Sequence, residues 1–210
     1  RFGGDAMSLL SIITEACQSS GMEAPASAIG STDPTVQKMV QFSIETVEEL
    51  RRRFNWPRLV EDVNFPSAQA DFLVGADFDR LVPGSGIVVN GVPIRCGLSQ
   101  SEWLALPART GTPRYGRTVD KTVSIWPTPT GTDTIKVNYY SAQPFRTEAD
   151  AVLPTWVADN DYCKLPEDLI TLGVIVRHRR DIGQDFSDQL AEFEAMFADY
   201  ARIDGGEPAK

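Results

Sequence analysis

Histidine is almost absent from this sequence: the 210 residues contain one, His178. It stands among Arg177, Arg179 and Arg180, where neighbouring positive charge opposes protonation and blunts a general base, so a Ser-His-Asp or Cys-His arrangement has no effective base. The three cysteines, Cys17, Cys96 and Cys163, are widely separated and form no Cys-x-x-Cys pair. That spacing argues against a disulfide framework or a zinc site, and for a reduced compartment or for buried free thiols, core thiols being favoured over catalytic ones. No apolar run approaches the roughly 20 residues needed to span a bilayer. The opening "RFGGDAMSLLSI" has no apolar stretch followed by a small-residue cleavage site, so the chain reads as soluble and unsecreted. Basic charge is also scarce, with 20 Lys and Arg against 29 Asp and Glu and a net charge of -9. A general polyanion binder shows the opposite balance, because its affinity comes from many cations releasing counterions together.

Other chemical templates fail on residue supply. The glycines of "VPGSGIVVNG" are not followed by Gly-Lys-Ser/Thr and read as turn residues rather than a phosphate loop. Glu167 and Asp168 follow Pro166, in a first helical turn where acids suit the helix dipole, which is a more ordinary role than a glycosidase pair. "ADNDY" lacks the spacing and terminal Glu of a calcium loop. No catalytic residue, cofactor or metal is expected.

What is present is an ordered series of elements. Leu9, Leu10, Ile12, Ile13, Ala16 and Cys17 recur at helical spacing and Gly21 supplies a stop. Asp33 and Pro34 suit the cap and first position of a second helix, along which Val36, Met39, Val40, Ile44, Val47, Leu50 and Phe54 trace an apolar face that Pro57 ends. From Leu59 to about Ser141 short β-prone runs alternate with Pro and Gly. "IVVNGVPI" carries an Asn-Gly hairpin signal, "LSQSEWLAL" a short helix, and Ile135, Val137 and Tyr139 alternate with polar neighbours as in a strand buried on one face. Helical periodicity returns with Leu169, Leu172, Gly173 and Val176, is broken by Gly183, and resumes with Phe186, Leu190, Phe193, Phe197 and Tyr200.

The fold class expected is therefore α+β: a helical bundle formed by N- and C-terminal helices, with an inserted small antiparallel β lobe. The boundaries drawn are 7–57 for the first helices, 58–145 for the β lobe and 146–203 for the closing helices, with flexible ends at 1–6 and 204–210.

Two arginine clusters remain. "RRRFNWPRL" places Arg51, Arg52, Arg53, Trp56 and Arg58 at the end of the long helix, where positive charge suits the dipole. Glu48 precedes Arg52 by four residues and Glu49 precedes Arg53 by four, each pair being worth about 0.2–0.5 kcal/mol. Arg177, Arg179 and Arg180 close a later helix. Of the four tryptophans, only Trp56 has basic sequence neighbours of the kind a nucleic-acid stacking platform would need. Trp103, Trp126 and Trp156 read as packing residues.

The order of "MSLLSIITEAC", "STDPTVQKMVQFSIETVEELRRRFNWPRL", "VSIWPTPTGTDTIKVNYYS" and "LPEDLITLGVIVRHRRDIGQD" resembles the head-to-tail adaptor (connector) proteins of tailed bacteriophages, of the tail tubular or head-completion type. The resemblance runs from Met7 to about Gly206. It implies a structural virion protein without enzyme activity or cofactor, assembled in the host cytoplasm into a homo-oligomeric ring, commonly a dodecamer. The ring's partners would be the portal protein on one side and the next tail component, a nozzle or tail tube, on the other. Genomic DNA would pass through the lumen during ejection without specific binding, and no membrane would be involved. Arg51, Arg52, Arg53, Trp56, Arg58, Arg177, Arg179 and Arg180 are then candidates for the contact with a neighbouring subunit or the portal. Two other readings stay open: a virion-associated peptidoglycan hydrolase, which a zymogram would reveal, and a small DNA-binding module, which would bind short duplexes with a steep salt dependence.

Overall fold

The structure is a computed structural model and describes residues 8–66 and 69–204. The expected flexibility of 1–6 and 205–210 concerns residues outside that range. The chain divides into two compact units: one formed by the chain up to Leu59 and again from Gln143, the other by Val60–Ala142. Helices and mainly antiparallel sheets place it in the α+β class.

In the helical unit, α1 (Leu9–Ser19) is capped by the Ser8 side chain and buries Leu9, Ile12, Ile13, Ala16 and Cys17. Gly21 follows with φ 74°, a left-handed conformation that glycine adopts without penalty. Helix α2 (Pro34–Arg53) has Asp33 as its cap, accepting from the Thr35 N–H at 2.7 Å. Its buried face is Val36, Met39, Ser43, Thr46, Val47 and Leu50. That face is rotated from the expected one, since Val40 and Ile44 are only half-buried. The two polar residues are accommodated because their hydroxyls donate to the Val40 and Phe42 carbonyls, both at 2.7 Å. The helix also stops earlier than Pro57 requires. Phe54 is already extended, which turns Phe54 and Trp56 inward to meet edge-on at 5.1 Å.

Pro57–Leu59 make a 3-10 turn. After the β unit the chain re-enters the helical unit through β10 (Phe145–Arg146), β11 (Val152–Leu153) and β12 (Tyr162–Cys163), ordered β11-β10-β12. This small sheet occupies part of the stretch assigned from sequence to the closing helices. Its strands are two residues long and show no periodicity to read.

Helix α4 (Glu167–Asp181) is buried from Leu169 through Val176 on every side. An all-round apolar helix belongs in a core, and α4 packs against α1, α2 and α5 (Ser187–Asp204). Gly173 allows the close approach of α2, because a Cβ there would lie 2.3 Å from Thr46 Cγ2. Helix α5 continues through Asp204, the first residue of the segment expected to be flexible, and Arg58 holds its end with a 3.2 Å ion pair to Asp204.

The β unit holds β1 (Val60–Phe65), β2 (Asp71–Leu73), β3 (Phe78–Leu81), β4 (Ile87–Val89), β5 (Val92–Pro93), β6 (Arg95–Cys96), α3 (Gln100–Leu104), β7 (Tyr115–Val119), β8 (Thr122–Trp126) and β9 (Ile135–Ser141). One sheet centres on β9, which pairs with β1 on one side and with β4 and β3 in succession on the other, while β5 extends β4. The second runs β2-β8-β7-β6. Both contribute to one core: Phe72, Val123 and Ile125 from the second, Ile87, Val89, Ile135, Val137 and Tyr139 from the first. The Asn90-Gly91 turn has φ 53° and 79°, as a tight hairpin demands. The expectation of a purely antiparallel lobe fails at β6, which pairs with β7 in parallel.

Candidate functional site

The arginines at the end of α2 are engaged within their own unit. Arg51 bonds Glu48 at 3.0 Å and its side chain is only 14% exposed. Arg53 bonds Glu49 at 3.2 Å and Glu194 of α5 at 2.9 Å, and its guanidinium lies 4.1 Å from the Phe197 ring centroid. These bonds favour the charged forms, raising the Arg53 pKa and lowering that of Glu194. Arg58 pairs with Asp204 and faces the Tyr200 ring. Trp56 is fully buried, and its Nε1 donates to the Leu50 carbonyl at 2.8 Å. It ties the helix end to the core and presents no surface. Arg177, which belongs to the other sequence cluster, reaches the same region: it bonds Glu49 and donates to Thr46 Oγ1 at 2.9 Å. The structure thus brings Arg53 and Arg177 together on Glu49. Arg52, 74% exposed beside Glu48, and the exposed Arg180 face outward, with half-buried Arg179 donating to the Asp185 carbonyl. Arg52 and Arg53 share a shallow hollow of about 500 Å³ with Ile44, Glu45, Glu48 and Glu49.

A second basic group, missed in the sequence, lies on the outer face of β6, β7 and β8. Gly116, Val123 and Ile125 are buried, so by strand alternation Tyr115, Arg117, Ser124 and Trp126 face outward. Register aligns Arg95 with Tyr115 and Tyr115 with Trp126, whose rings are 5.9 Å apart. Arg117 lies 4.8 Å over the Trp103 ring and donates to Gln100. Arg109 and Arg114 line a groove of about 390 Å³ with Tyr115, Trp126 and Pro127. Trp103 and Trp126 therefore do have basic neighbours, contrary to the reading of both as plain packing residues. The pairing of separate strands supplies them. The signal available was "PARTGTPRYGR", three arginines in a short run. Trp156, by contrast, is buried as expected and donates to Ser43 Oγ at 2.9 Å.

The groups with nucleophilic or acid-base potential are arranged for packing. Burial pushes the Cys163 thiol up to about 12 and raises that of Cys17, whose Sγ lies 3.5 Å from Met39 Sδ. Cys96 is exposed at the end of its short strand, which corrects the expectation that all three thiols are buried. His178 is buried in the last turn of α4, and desolvation lowers its pKa. Among the described residues no group of three His, Cys, Asp or Glu could hold a metal ion. Nor does any described helix have the length and hydropathy to cross a membrane.

The family model described as SU10 adaptor protein matches residues 7–209. The chain belongs to that family. No curated protein matches it. As an SU10 adaptor protein it is a phage head-tail adaptor, a structural component of the virion that works with portal and tail components, in a family that is not one of enzymes. For an adaptor, the arginine-rich and charge-segregated surfaces above are where contacts with other virion components should be sought, since interfaces favour Arg and aromatic side chains.

Proposed function

We propose that this SU10 adaptor protein forms a closed ring between the portal and the tail, with a central channel for the genome during ejection, and that twelve copies make the ring. The observation that supports this reading is a family match extending through both compact units, so the whole chain takes part in the adaptor architecture. The helical unit is the bundle domain and the β unit an inserted lobe. Assembly takes place in the host cytoplasm, and the portal and a nozzle or tail-tube component occupy opposite sides of the ring.

A ring built from one chain requires two unlike surfaces on each copy. In the helical unit, Arg52, Arg179 and Arg180 are the residues of the two sequence clusters that meet a neighbour or the portal. Arg51, Arg53, Arg58 and Arg177 position that surface through their acidic partners, with Trp56 as its anchor. The net charge of -9 keeps the duplex from adhering to the channel.

The test is to mix the purified chain with its portal and image the complex by cryo-electron microscopy with symmetry resolved. A closed ring of copies beneath the portal is expected. Isolated copies, or a complex with no ring, would overturn the reading.

A further inference from the structure

Arg95, Arg109 and Arg114 are exposed, and their side chains form no hydrogen bond or salt bridge among the described residues. They flank the outward Tyr115 and Trp126, and the one acidic influence on them among the described residues is that of Glu102, whose pKa is lowered chiefly by Ser99 and only slightly by Arg95. We propose that this face of β6, β7 and β8 docks the outer face of α5 from a second copy of the chain. The proposal rests on the ring reading and names the contact that would build it.

Two observations select the occupant. The face combines arginine with tryptophan and tyrosine, the side chains enriched in the cores of protein interfaces, and none of its cations is a lysine. A nucleic-acid grip drawing on phosphate attraction would have no reason to avoid lysine. The same chain also carries the complementary surface. Asp188, Glu192 and Asp199 lie four and seven residues apart, hence on one side of α5, and all three are exposed. Phe193 and Phe197 point the opposite way, into the helical unit. At the C-terminal end of this stripe Arg202 bonds Asp199 at 3.3 Å and Arg58 lines the same hollow as Asp199, whereas Asp188 and Glu192 form no ion pair among the described residues. One chain with an Arg-aromatic face and a separate acidic face has the unlike pair that a head-to-tail contact needs, and their opposite charges would fix its register.

Charge reversal tests this directly. R109E/R114E, D188R/E192R and the chain carrying all four substitutions are each mixed with portal, and rings are counted by electron microscopy; circular dichroism and the thermal midpoint check the fold. Wild type should form rings. Each double variant should reduce them by about tenfold or more, and the fourfold variant should recover them, because the swapped charges again complement each other. If wild type and both double variants form rings equally, this contact is wrong while the ring reading stands. If only R109E/R114E fails and the fourfold variant does not recover, the β face binds something other than α5. Loss of salt-dependent binding to a short DNA duplex in R109E/R114E, with rings intact, would assign the face to nucleic acid instead. Absence of wild-type rings would overturn both proposals.

Discussion

Arg53 lies over Phe197 with its guanidinium carbon 4.1 Å from the ring centroid, and the same group bonds Glu49 and Glu194. Stacking and forked hydrogen bonding are properties of a planar guanidinium that an ammonium does not share. Arg53→Lys should therefore destabilise the chain by about 1 kcal/mol although charge is conserved, the pairs being partly exposed. Urea denaturation measures it, and a double-mutant cycle with Glu194→Gln should show coupling. Additive effects would mean the contact contributes nothing.

Gly173 faces Thr46 where α4 crosses α2, and a Cβ at Gly173 would sit 2.3 Å from Thr46 Cγ2 and 3.2 Å from Phe193. Alanine is the better helix former by about 1 kcal/mol, but overpacking typically costs about 1–3 kcal/mol. Gly173→Ala is expected to lower the thermal midpoint. Adding Thr46→Ser, which removes Cγ2 and keeps the hydroxyl bonded to Phe42 and Arg177, should restore part of the loss.

Trp56 is the largest fully buried side chain. Trp56→Ala removes its contacts with Phe54 and Phe197 and its bond to Leu50, and should cost about 3–5 kcal/mol. A chemical-denaturation midpoint unchanged from wild type would contradict this packing.

His178 gives a pH dependence of definite sign. Burial lowers its folded-state pKa below the ordinary 6.5, and its Nδ1 has no partner among the described residues. As pH falls through 6.5 the unfolded chain takes up the proton before the folded one, so stability falls with it. Lys38 acts in the same direction and Asp181 opposes it. Urea midpoints should decline from pH 7.5 to 5.5 in wild type, and less so in His178→Gln.

Signals carried by neighbouring residues were legible in the sequence. The Asp33 cap, the Asn90-Gly91 turn, the helix stops at Gly21 and Gly183 and the alternation along β9 each depend on a few consecutive positions. What could not be read depends on residues distant in the chain. The polar pair Ser43 and Thr46 sits on the buried face of α2 because Trp156 bonds one and Gly173 makes room for the other. Arg146, in a two-residue strand, is 1% exposed, its charge facing the Gln143 and Phe145 carbonyls. The candidate surfaces follow the same division. Helical spacing paired Arg52 with Glu48 and Arg53 with Glu49, whereas only strand pairing places Arg95 beside Tyr115 and Tyr115 beside Trp126.

Strands β1 and β9 are adjacent and antiparallel, with Val60 opposite Tyr140. The β unit therefore begins and, two residues before its end, closes on the same ladder, with Val60 and Tyr140 at the roughly 5 Å spacing of neighbouring strands. To the helices, the excursion from 60 to 142 is a loop whose ends are already closed by its own ladder, and loop length is thermodynamically cheap. Shortening or lengthening a turn within that excursion is therefore expected to leave the packing of α1, α2, α4 and α5 intact.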